Sequence, residues 1–308
     1  MKIKKKILTY LLIISGFVCF STNTNAEVYK YYNKLNGNQK KAYKKMEKKI
    51  DAAVSAPLSV KLKSNYLDVI RSIEAMSADR ADLFSGNVAV SFESRGNITK
   101  VKFPELNGKK LSKKLRDFVD NTNLRGADDF ETAKNIHDFI INHMEYDFSS
   151  DDSLTDKFSM KGALLNKKAV CEGYARTFKY MCDKYDMPCV LVTGIGTNPL
   201  SDSSDKAANE RHMWNYLKLD NSWYAVDTTW DDNLSDETGI CYDYFLVGSD
   251  TEDSINTPFY KSHIRNSTFF NFDVDNVKGF NYPELSKESF FGNYSNIYEY
   301  LQANYQSY

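Results

Sequence analysis

Residues 169–185 read AVCEGYARTFKYMCDKY, a stretch that predicts the helix on which the fold is organised. Its large side chains recur at steps of three and four residues, the period of an amphipathic helix. That predicted stripe consists of Tyr174, Phe178, Met181, Cys182 and Tyr185. Cys171 stands in the first turn, where unpaired backbone N–H groups and the positive end of the helix dipole favour a thiolate, the reactive form of a cysteine.

About 41 residues later, a hairpin is predicted from alternating side chains. Its first strand, RHMWNYLKL at 211–219, places on one face His212, Trp214 and Tyr216. A turn at Asp220 and Asn221 leads to WYAVDTTW at 223–230, which places on one face Trp223, Ala225 and Asp227. A two-residue turn pairs Trp214 with Asp227, so His212 and Asp227 become diagonal neighbours roughly 7–8 Å apart at the backbone.

These three residues have the chemistry of a nucleophile, its base and the group that orients the base. A carboxylate that holds one ring nitrogen of His212 turns the other nitrogen toward the thiol. We therefore expect Cys171 to attack a carbonyl, His212 to take and return the proton, and Asp227 to orient His212 and stabilise its charged form.

Three blocks in this order resemble the bacterial transglutaminase-like superfamily. The first is CEGYA followed by a helix and MPCVLVTG, the second is RHMWNY and the third is WYAVDTTWDD, within a region of roughly residues 126–250. The resemblance implies an α+β, papain-like core, in which the cysteine helix packs on an antiparallel sheet that carries the histidine and the aspartate. It also implies an aromatic residue upstream of the cysteine that helps stabilise an oxyanion, and Tyr146 is the candidate. The backbone N–H of Cys171 is the favoured first donor, because oxyanion holes are usually built from fixed donors.

The remaining cysteines and histidines are predicted to be structural. Cys182, Cys189 and Cys241 are expected to pack in the core, and the absence of any C-x-x-C pair argues against a zinc site. No metal and no cofactor is expected. His137 and His143 are assigned packing or surface roles beside the buried stripe of a helix at 129–144. His263 follows the core, and no local pattern assigns it a role.

Two tryptophans of the hairpin region, Trp214 and Trp230, are candidates for a substrate groove. Trp230 is considered together with Asp231 and Asp232, because aromatic side chains are enriched at binding sites. The plainer interpretation, that most of these side chains are packing residues, stays open.

The N-terminus reads as a secretory signal. MKIKKK precedes 14 apolar residues and the small-residue end TNA, which predicts cleavage after Ala26 and a bacterial secreted or wall-associated protein. An apolar run this short predicts no stable membrane span after cleavage. Removing four lysines takes the formal net charge from −1 to −5. Positive charge is expected to be spread along the chain, so nucleic acid is not expected as a partner.

The chain is predicted to divide into four parts: a signal peptide at 1–26, an α+β extension at 27–125, a catalytic core at 126–262 and a segment packed on the core at 263–308. The extension contains predicted helices at 39–54 and 65–76 and a hairpin formed by 87–94 and 98–103. Two short helices are expected at 286–291 and 294–303. The polar loop between the strand at 189–195 and His212 is expected to be a solvated connector, with a lid over the cleft as the alternative.

The leading hypothesis is an exported cysteine enzyme that forms a thioester with an amide substrate and passes the acyl group to water or to an amine. Protein or peptide, including cell-wall peptide, is the expected substrate. Hydrolysis is slightly favoured, because the sequence shows no specific amine site or calcium loop. The alternatives are a non-catalytic module that binds peptide or glycan in the same groove, and a structural wall protein in which the domain is a spacer.

Overall fold

The structure is a computed structural model, and it describes residues 30–84, 90–149, 155–197, 209–235, 239–269, 279–294 and 296–305. The predicted signal peptide lies outside these residues. So does most of the polar loop before His212, because residues 198–208 are not described. The fold mixes helices with antiparallel sheet, which confirms the α+β class.

The α-helices are α1 Gly37–Ala52, α2 Tyr66–Asp79, α3 Lys109–Asn121, α4 Asp129–His143, α5 Cys171–Lys184, α6 Thr228–Leu234, α7 Phe259–Ser262 and α8 Ile297–Asn304. The strands are β1 Leu58–Leu62, β2 Ser91–Arg95, β3 Ile98–Phe103, β4 Glu145–Tyr146, β5 Lys168–Ala169, β6 Cys189–Thr197, β7 Asn209–Leu219, β8 Ser222–Val226, β9 Phe245–Val247 and β10 His263–Arg265. Short 3₁₀ turns cover Tyr31–Lys34, Ala81–Leu83 and Thr155–Phe158, and one π turn covers Gly162–Asn166.

The central sheet has the order β10-β6-β7-β8-β9, and all its neighbours are antiparallel. The turn between β7 and β8 is the predicted two-residue turn, because Asp220 and Asn221 both have positive φ, at 45° and 68°. Asn215 pairs with Val226, the register that the sequence predicted. The end of β8 therefore lies beside the start of β7, where His212 stands.

The cysteine helix α5 packs on this sheet, as the family resemblance implied. Phe178 and Met181 of α5 share a buried apolar cluster with Leu217 of β7. Asn215 ties the helix to the sheet, since its Nδ2 donates to the carbonyl of Ala175 at 3.0 Å. Cys182 and Cys189 are fully buried in the same cluster, which confirms their predicted core positions.

The N-terminal extension packs against the central sheet and also against α5, where Nη1 of Arg176 donates to the carbonyl of Ser77. Its own sheet has the order β1-β3-β2, and a single apolar cluster joins its helices to residues of β6 and β7. The Tyr31 hydroxyl donates to the carbonyl of Leu191 at 3.1 Å across this junction. The extension therefore shares one core with the sheet that carries the candidate site.

The C-terminal segment contributes directly to the central sheet. Strand β10 pairs with β6 through His263↔Gly196, so the predicted boundary between 262 and 263 falls between α7 and a strand of this sheet. The helix predicted at 294–303 is α8, whereas 286–291 contains bends and turns and no helix, so that second prediction is wrong. No helix of the described residues is long and apolar enough to cross a bilayer.

Candidate active site

Cys171 is the first residue of α5 and is only partly buried. The next turn is tightly backed, because a Cβ at Gly173 would lie 2.7 Å from the Cβ of Ala169 and 2.9 Å from the carbonyl oxygen of Lys157. Glycine at this position lets the preceding strand approach the helix closely. The sulfur is thereby fixed at a helix N-terminus, where the dipole favours an anion.

His212 and Asp227 form the hydrogen bond that the hairpin register predicted. The Nε2 of His212 lies 2.5 Å from the Oδ2 of Asp227, and the two residues are 8% and 1% exposed. An interaction with the thiol of Cys171 also raises the pKa of His212, so the two side chains lie close together. The structure thus brings the three sequence-predicted residues into one contact chain.

Asp227 is held rigidly because it also caps α6. Its Oδ1 accepts from the backbone N–H groups of Thr229 at 2.9 Å and Trp230 at 3.2 Å. An N-cap carboxylate satisfies N–H groups that the first helical turn leaves free. One oxygen is therefore occupied by the helix, and the other faces the histidine.

A second histidine, His263, contacts the same carboxylate oxygen. Its Nε2 lies 3.0 Å from the Oδ2 of Asp227, and its Nδ1 lies 2.9 Å from the Oγ of Ser262. The ring is 3% exposed and stacks on Phe259, with centroids 4.2 Å apart at 13°. An ionised carboxylate can only accept, so both imidazoles donate to Asp227 through Nε2. His263 was visible in the sequence, but its short edge strand has too little alternation to assign it to the site.

The electrostatics of the site favour a charged His212 and a neutral His263. Burial lowers the pKa of His212, but the charge of Asp227 and the hydrogen bonds to Asp227 and Cys171 outweigh burial and raise this pKa to about 10. Burial raises the pKa of Asp227, but His212 and His263 outweigh it and hold that pKa well below its ordinary value. Burial keeps the pKa of His263 below its ordinary value despite the attraction of Asp227.

Tyr146 lies next to the strand that leads into the cysteine helix. Strands β4 and β5 run parallel, and Tyr146 pairs with Ala169, two residues before Cys171. Burial raises the pKa of Tyr146, and negative charge at Cys171, Glu210 and Asp227 raises it further, so its phenol keeps the proton that it would donate. This placement is compatible with the predicted oxyanion role, which stays a prediction.

The two groove candidates differ in the structure. Trp214 is only 1% exposed, with its ring centroid 5.8 Å from that of His212, so it packs beneath the site and does not line a groove. That prediction is corrected: the rings of His212, Phe259 and His263 lie against Trp214, which belongs to the apolar cluster that joins the central sheet to the extension. Trp230 is partly exposed, and its ring centroid lies 5.5 Å from that of His212.

The acidic residues after Trp230 have structural partners. Asp231 is fully buried and accepts from Nε2 of His137 at 2.9 Å, and Asp232 accepts from the hydroxyl of Tyr174 at 2.5 Å. Both carboxylates therefore bind other side chains, and these contacts do not direct them into a groove. His137 has a packing role, as predicted, with its ring fully buried.

The site also contains a set of possible metal donors. One atom each of His212, Asp227 and His263 lies within 4.8 Å of the others, and two imidazoles with a carboxylate suit a divalent transition metal. In the present arrangement these donors are hydrogen-bonded to one another.

Comparisons with known proteins agree with the sequence resemblance. A family model described as "Transglutaminase-like superfamily" matches residues 116–228. Kyphoscoliosis peptidase of Mus musculus is 29% identical over 126 residues, which are 40% of this chain and 19% of that protein. The chain thus spans about a fifth of the length of the curated relatives that it matches.

Two solved structures are also similar. A TGase has 15% identity and a TM-score of 0.28, with 56% of this chain and 51% of that chain covered. The periplasmic domain of TgpA from Pseudomonas aeruginosa, bound to ethylmercury, has 14% identity and a TM-score of 0.29, with coverages of 43% and 55%.

Proposed function

We propose, from the premise that this chain belongs to the transglutaminase-like superfamily through its residues 116–228, that it is a cysteine acyl-transfer enzyme. The observation that supports this most is the contact chain from Cys171 through His212 to the buried Asp227. A thiol, an imidazole and a carboxylate in this order perform nucleophilic catalysis on carbonyl substrates.

The first half-reaction forms a thioester. With His212 as an imidazolium, the sulfur of Cys171 attacks the carbonyl carbon of an amide as a thiolate. The resulting oxyanion is stabilised by the backbone N–H of Cys171 and by the hydroxyl of Tyr146. When the C–N bond breaks, His212 gives its proton to the departing amine, and the acyl group stays on sulfur.

The second half-reaction releases the acyl group. Water or a primary amine attacks the thioester, His212 takes the proton of the attacking group, and Cys171 leaves as a thiolate. Asp227 keeps the ring oriented through both steps. We place hydrolysis of a peptide amide first, because the sequence has no recognisable amine site and the mouse and human relatives carry the name peptidase.

His263 is a positioning residue in this scheme. Its ring N–H holds the same oxygen of Asp227 that receives His212, so the carboxylate cannot rotate away without losing a second hydrogen bond. Residues that fix the partner of a catalytic group commonly change activity strongly when they are replaced. His263 does not itself contact the reacting atoms in this mechanism.

The proposed setting is outside the cytoplasm, with protein or wall peptide as substrate. The support is the basic start, apolar run and small-residue end of residues 1–26. Secretion into medium and retention at the wall both agree with this N-terminus.

Thiol labelling tests the first half of the proposal. In the purified protein, Cys171 is expected to react rapidly with iodoacetamide near neutral pH, and His212→Ala is expected to slow that reaction strongly. Cys182, which is fully buried, is the internal reference for a thiol without activation. A Cys171 that reacts no faster than Cys182 would indicate a binding module on the same fold.

Product analysis tests the second half. The protein is incubated with a peptide library and a labelled primary amine, and mass spectrometry separates cleavage, deamidation and amine incorporation. Cys171→Ala is expected to abolish every product, His212→Ala nearly so, and Asp227→Asn to leave a reduced rate. Unchanged turnover in Cys171→Ala would refute the enzyme proposal.

A further inference from the structure

Charge is divided unequally along this chain. Residues 27–125 contain 21 Lys and Arg against 11 Asp and Glu, a formal net charge of +10, whereas residues 126–308 contain 15 against 30, a net charge of −15. The expectation that positive charge is spread along the chain is therefore wrong. The near-neutral total hides a strongly basic extension joined to a strongly acidic core.

Three acidic side chains of the extension pair with arginines. Glu47 and Asp51 of α1 both pair with Arg80, at 3.0 and 2.9 Å. Asp82 has a fully buried side chain and pairs with Arg80 and Arg116. The negative charge of these carboxylates is therefore partly or wholly neutralised by arginines where the helices meet. They leave much of the lysine charge of α1 uncompensated at the surface.

The lysines of α1 form one exposed stripe, which we call the basic face: Lys41, Lys44, Lys45, Lys48 and Lys49. They lie opposite the buried side of the helix, which consists of Ala42, Tyr43, Met46 and Ile50. Lys44 pairs with Glu47 at 3.0 Å, and it is the one member of the basic face for which the described residues show an ion pair. A 16-residue helix is about 24 Å long, so the stripe can follow an extended ligand.

A second row of lysines begins where the basic face ends. The N–H of Lys109 donates to the carbonyl of Ala53 at 3.0 Å, and a Cβ at Gly108 would lie 2.3 Å from the carbonyl oxygen of Val54. The start of α3 is thereby packed against the end of α1. Its first two turns expose Lys109, Lys110, Lys113 and Lys114. The positive surface thus continues from one helix to the next.

We propose that the basic face binds a linear polyanion without bases, whose repeating charge is a phosphate group. Rows of lysine bind such polymers by displacing their condensed counterions, without reading a sequence. A bilayer fits less well, because an interfacial helix needs a row of apolar side chains next to its charges, and the apolar residues of α1 are buried. The unequal distribution of charge also favours binding through the extension, since the acidic core repels the polymer while the extension attracts it.

This inference goes beyond the acyl-transfer chemistry and does not depend on it. The basic face lies on the extension, whereas Cys171, His212 and Asp227 belong to the acidic part. Binding through α1 would hold the protein on an anionic polymer and leave the proposed site free to act on a separate substrate.

Binding of fluorescently labelled inorganic polyphosphate to the purified protein tests the inference, by anisotropy over a salt series. The variant replaces four lysines of the basic face, as Lys41→Gln, Lys45→Gln, Lys48→Gln and Lys49→Gln. The matched control replaces four exposed lysines of the acidic part, as Lys167→Gln, Lys168→Gln, Lys261→Gln and Lys287→Gln. Both variants lose the same charge, and circular dichroism checks that both are folded.

The wild type is expected to bind with an affinity that falls steeply with salt. The variant of the basic face should bind at least ~10-fold more weakly, with the slope of log K against log[salt] reduced by about 3, at about 0.7 for each lost phosphate contact. The control should bind nearly as the wild type does. Equal losses in both variants would show that only total charge matters and would overturn the inference.

Two other anionic ligands test the competing classes of partner, a membrane surface and nucleic acid. Vesicles that contain phosphatidylglycerol and a short duplex DNA are titrated under the same conditions. Weaker binding to both than to polyphosphate supports the inference. Tighter binding to the vesicles would assign the basic face to a membrane surface, and tighter binding to the duplex would assign it to nucleic acid. Either result would overturn the inference, as would no binding of polyphosphate by the wild type.

Discussion

His212, on the central strand β7, and His263, on the edge strand β10, donate to the same oxygen of Asp227, at 2.5 and 3.0 Å. The two rings have different charge states near neutral pH, because the pKa of His212 is raised and that of His263 is lowered. The carboxylate therefore joins a cationic ring that faces the sulfur to a neutral ring that faces the core. This division agrees with the proposed roles of His212 as the base and His263 as its support.

Replacing His263 tests its positioning role. His263→Phe fills the space but removes the donor, and kcat is expected to fall by about 10–100-fold while KM changes little, as for other residues that orient a catalytic partner. His263→Gln keeps an N–H donor and should retain more activity. Without the donor the pKa of Asp227 rises, so the acidic limb of the pH–rate profile should move to higher pH. A Phe variant with unchanged kcat and an unshifted profile would contradict this role.

Gly196 tests the packing behind the catalytic ring. A Cβ at this position would lie 3.0 Å from Cζ2 of Trp230 and 3.2 Å from the Cβ of His212. Gly196→Ala is expected to destabilise the fold by about 1–3 kcal/mol through overpacking and to displace His212. Small displacements of a catalytic group reduce rates by up to about 100-fold. Thermal unfolding and kcat/KM measure the two effects.

Gly37→Ala is the control for that substitution. Gly37 begins α1, and a Cβ there has no neighbour within 4 Å among the described residues. The stability and activity of the Gly37→Ala variant should stay close to those of the wild type. Equal behaviour of the two alanine variants would show that Gly196 does not constrain His212.

The pH dependence of activity should reflect the raised pKa of His212. The imidazolium is the form that pairs with the thiolate and protonates the leaving amine, so activity should fall as pH rises through about 10. The pairing of His212 with Asp227 also contributes to the stability of the fold. Because the pKa of His212 is higher in the folded than in the unfolded state, this contribution is complete below about pH 6.5 and is lost as the pH rises through about 10. A pH–rate profile with an alkaline limb near 7 would contradict the expected pairing with Asp227.

Asp79 predicts a pH effect on the stability of the extension. Its oxygens accept from the backbone N–H groups of Tyr31 and Tyr32 at 2.9 and 2.8 Å. Burial raises the pKa of Asp79 to about 6, although the charge of Lys179 opposes this. Because the folded pKa lies above the unfolded one, the contribution of Asp79 is complete below the unfolded pKa of 3.8 and is lost as pH rises through about 6.

Asp79→Asn removes this titration. The free energy of unfolding of the wild type should decline relative to that of the variant between pH 4 and 7, by an amount on the order of 2–3 kcal/mol. Urea unfolding at several pH values measures the difference. Parallel curves for the two proteins would mean that Asp79 is charged in the folded state throughout this range.

The parts of the site set by local rules were predictable from the sequence. The helix that begins at Cys171 followed from its stripe of large side chains, and the register of the hairpin followed from the two-residue turn at Asp220 and Asn221. Both features depend on neighbours within about 15 residues. Their prediction needs only the helical and strand periods and the geometry of a tight turn.

The parts set by long-range packing were not predictable. Strand β10 has three residues, too few for an alternating pattern, so nothing local indicated that His263 would join the sheet beside Asp227. Trp214 is on the predicted face, but its burial becomes visible only when Phe259 and His263 are packed against it. The charge division was present in the sequence, but the pairing of Glu47 with Arg80 becomes visible only when the helices are in place.

The late position of β10 in the chain fixes the order in which the site can assemble. A growing polypeptide contains Cys171, His212 and Asp227 before it contains the strand that braces them, and the edge of β6 is uncapped until residues 263–265 pair with it. A chain that ends before residue 263 would contain all three predicted residues but would lack the second donor to Asp227. The hydrogen-bonded set is therefore complete only when β10 has paired with β6.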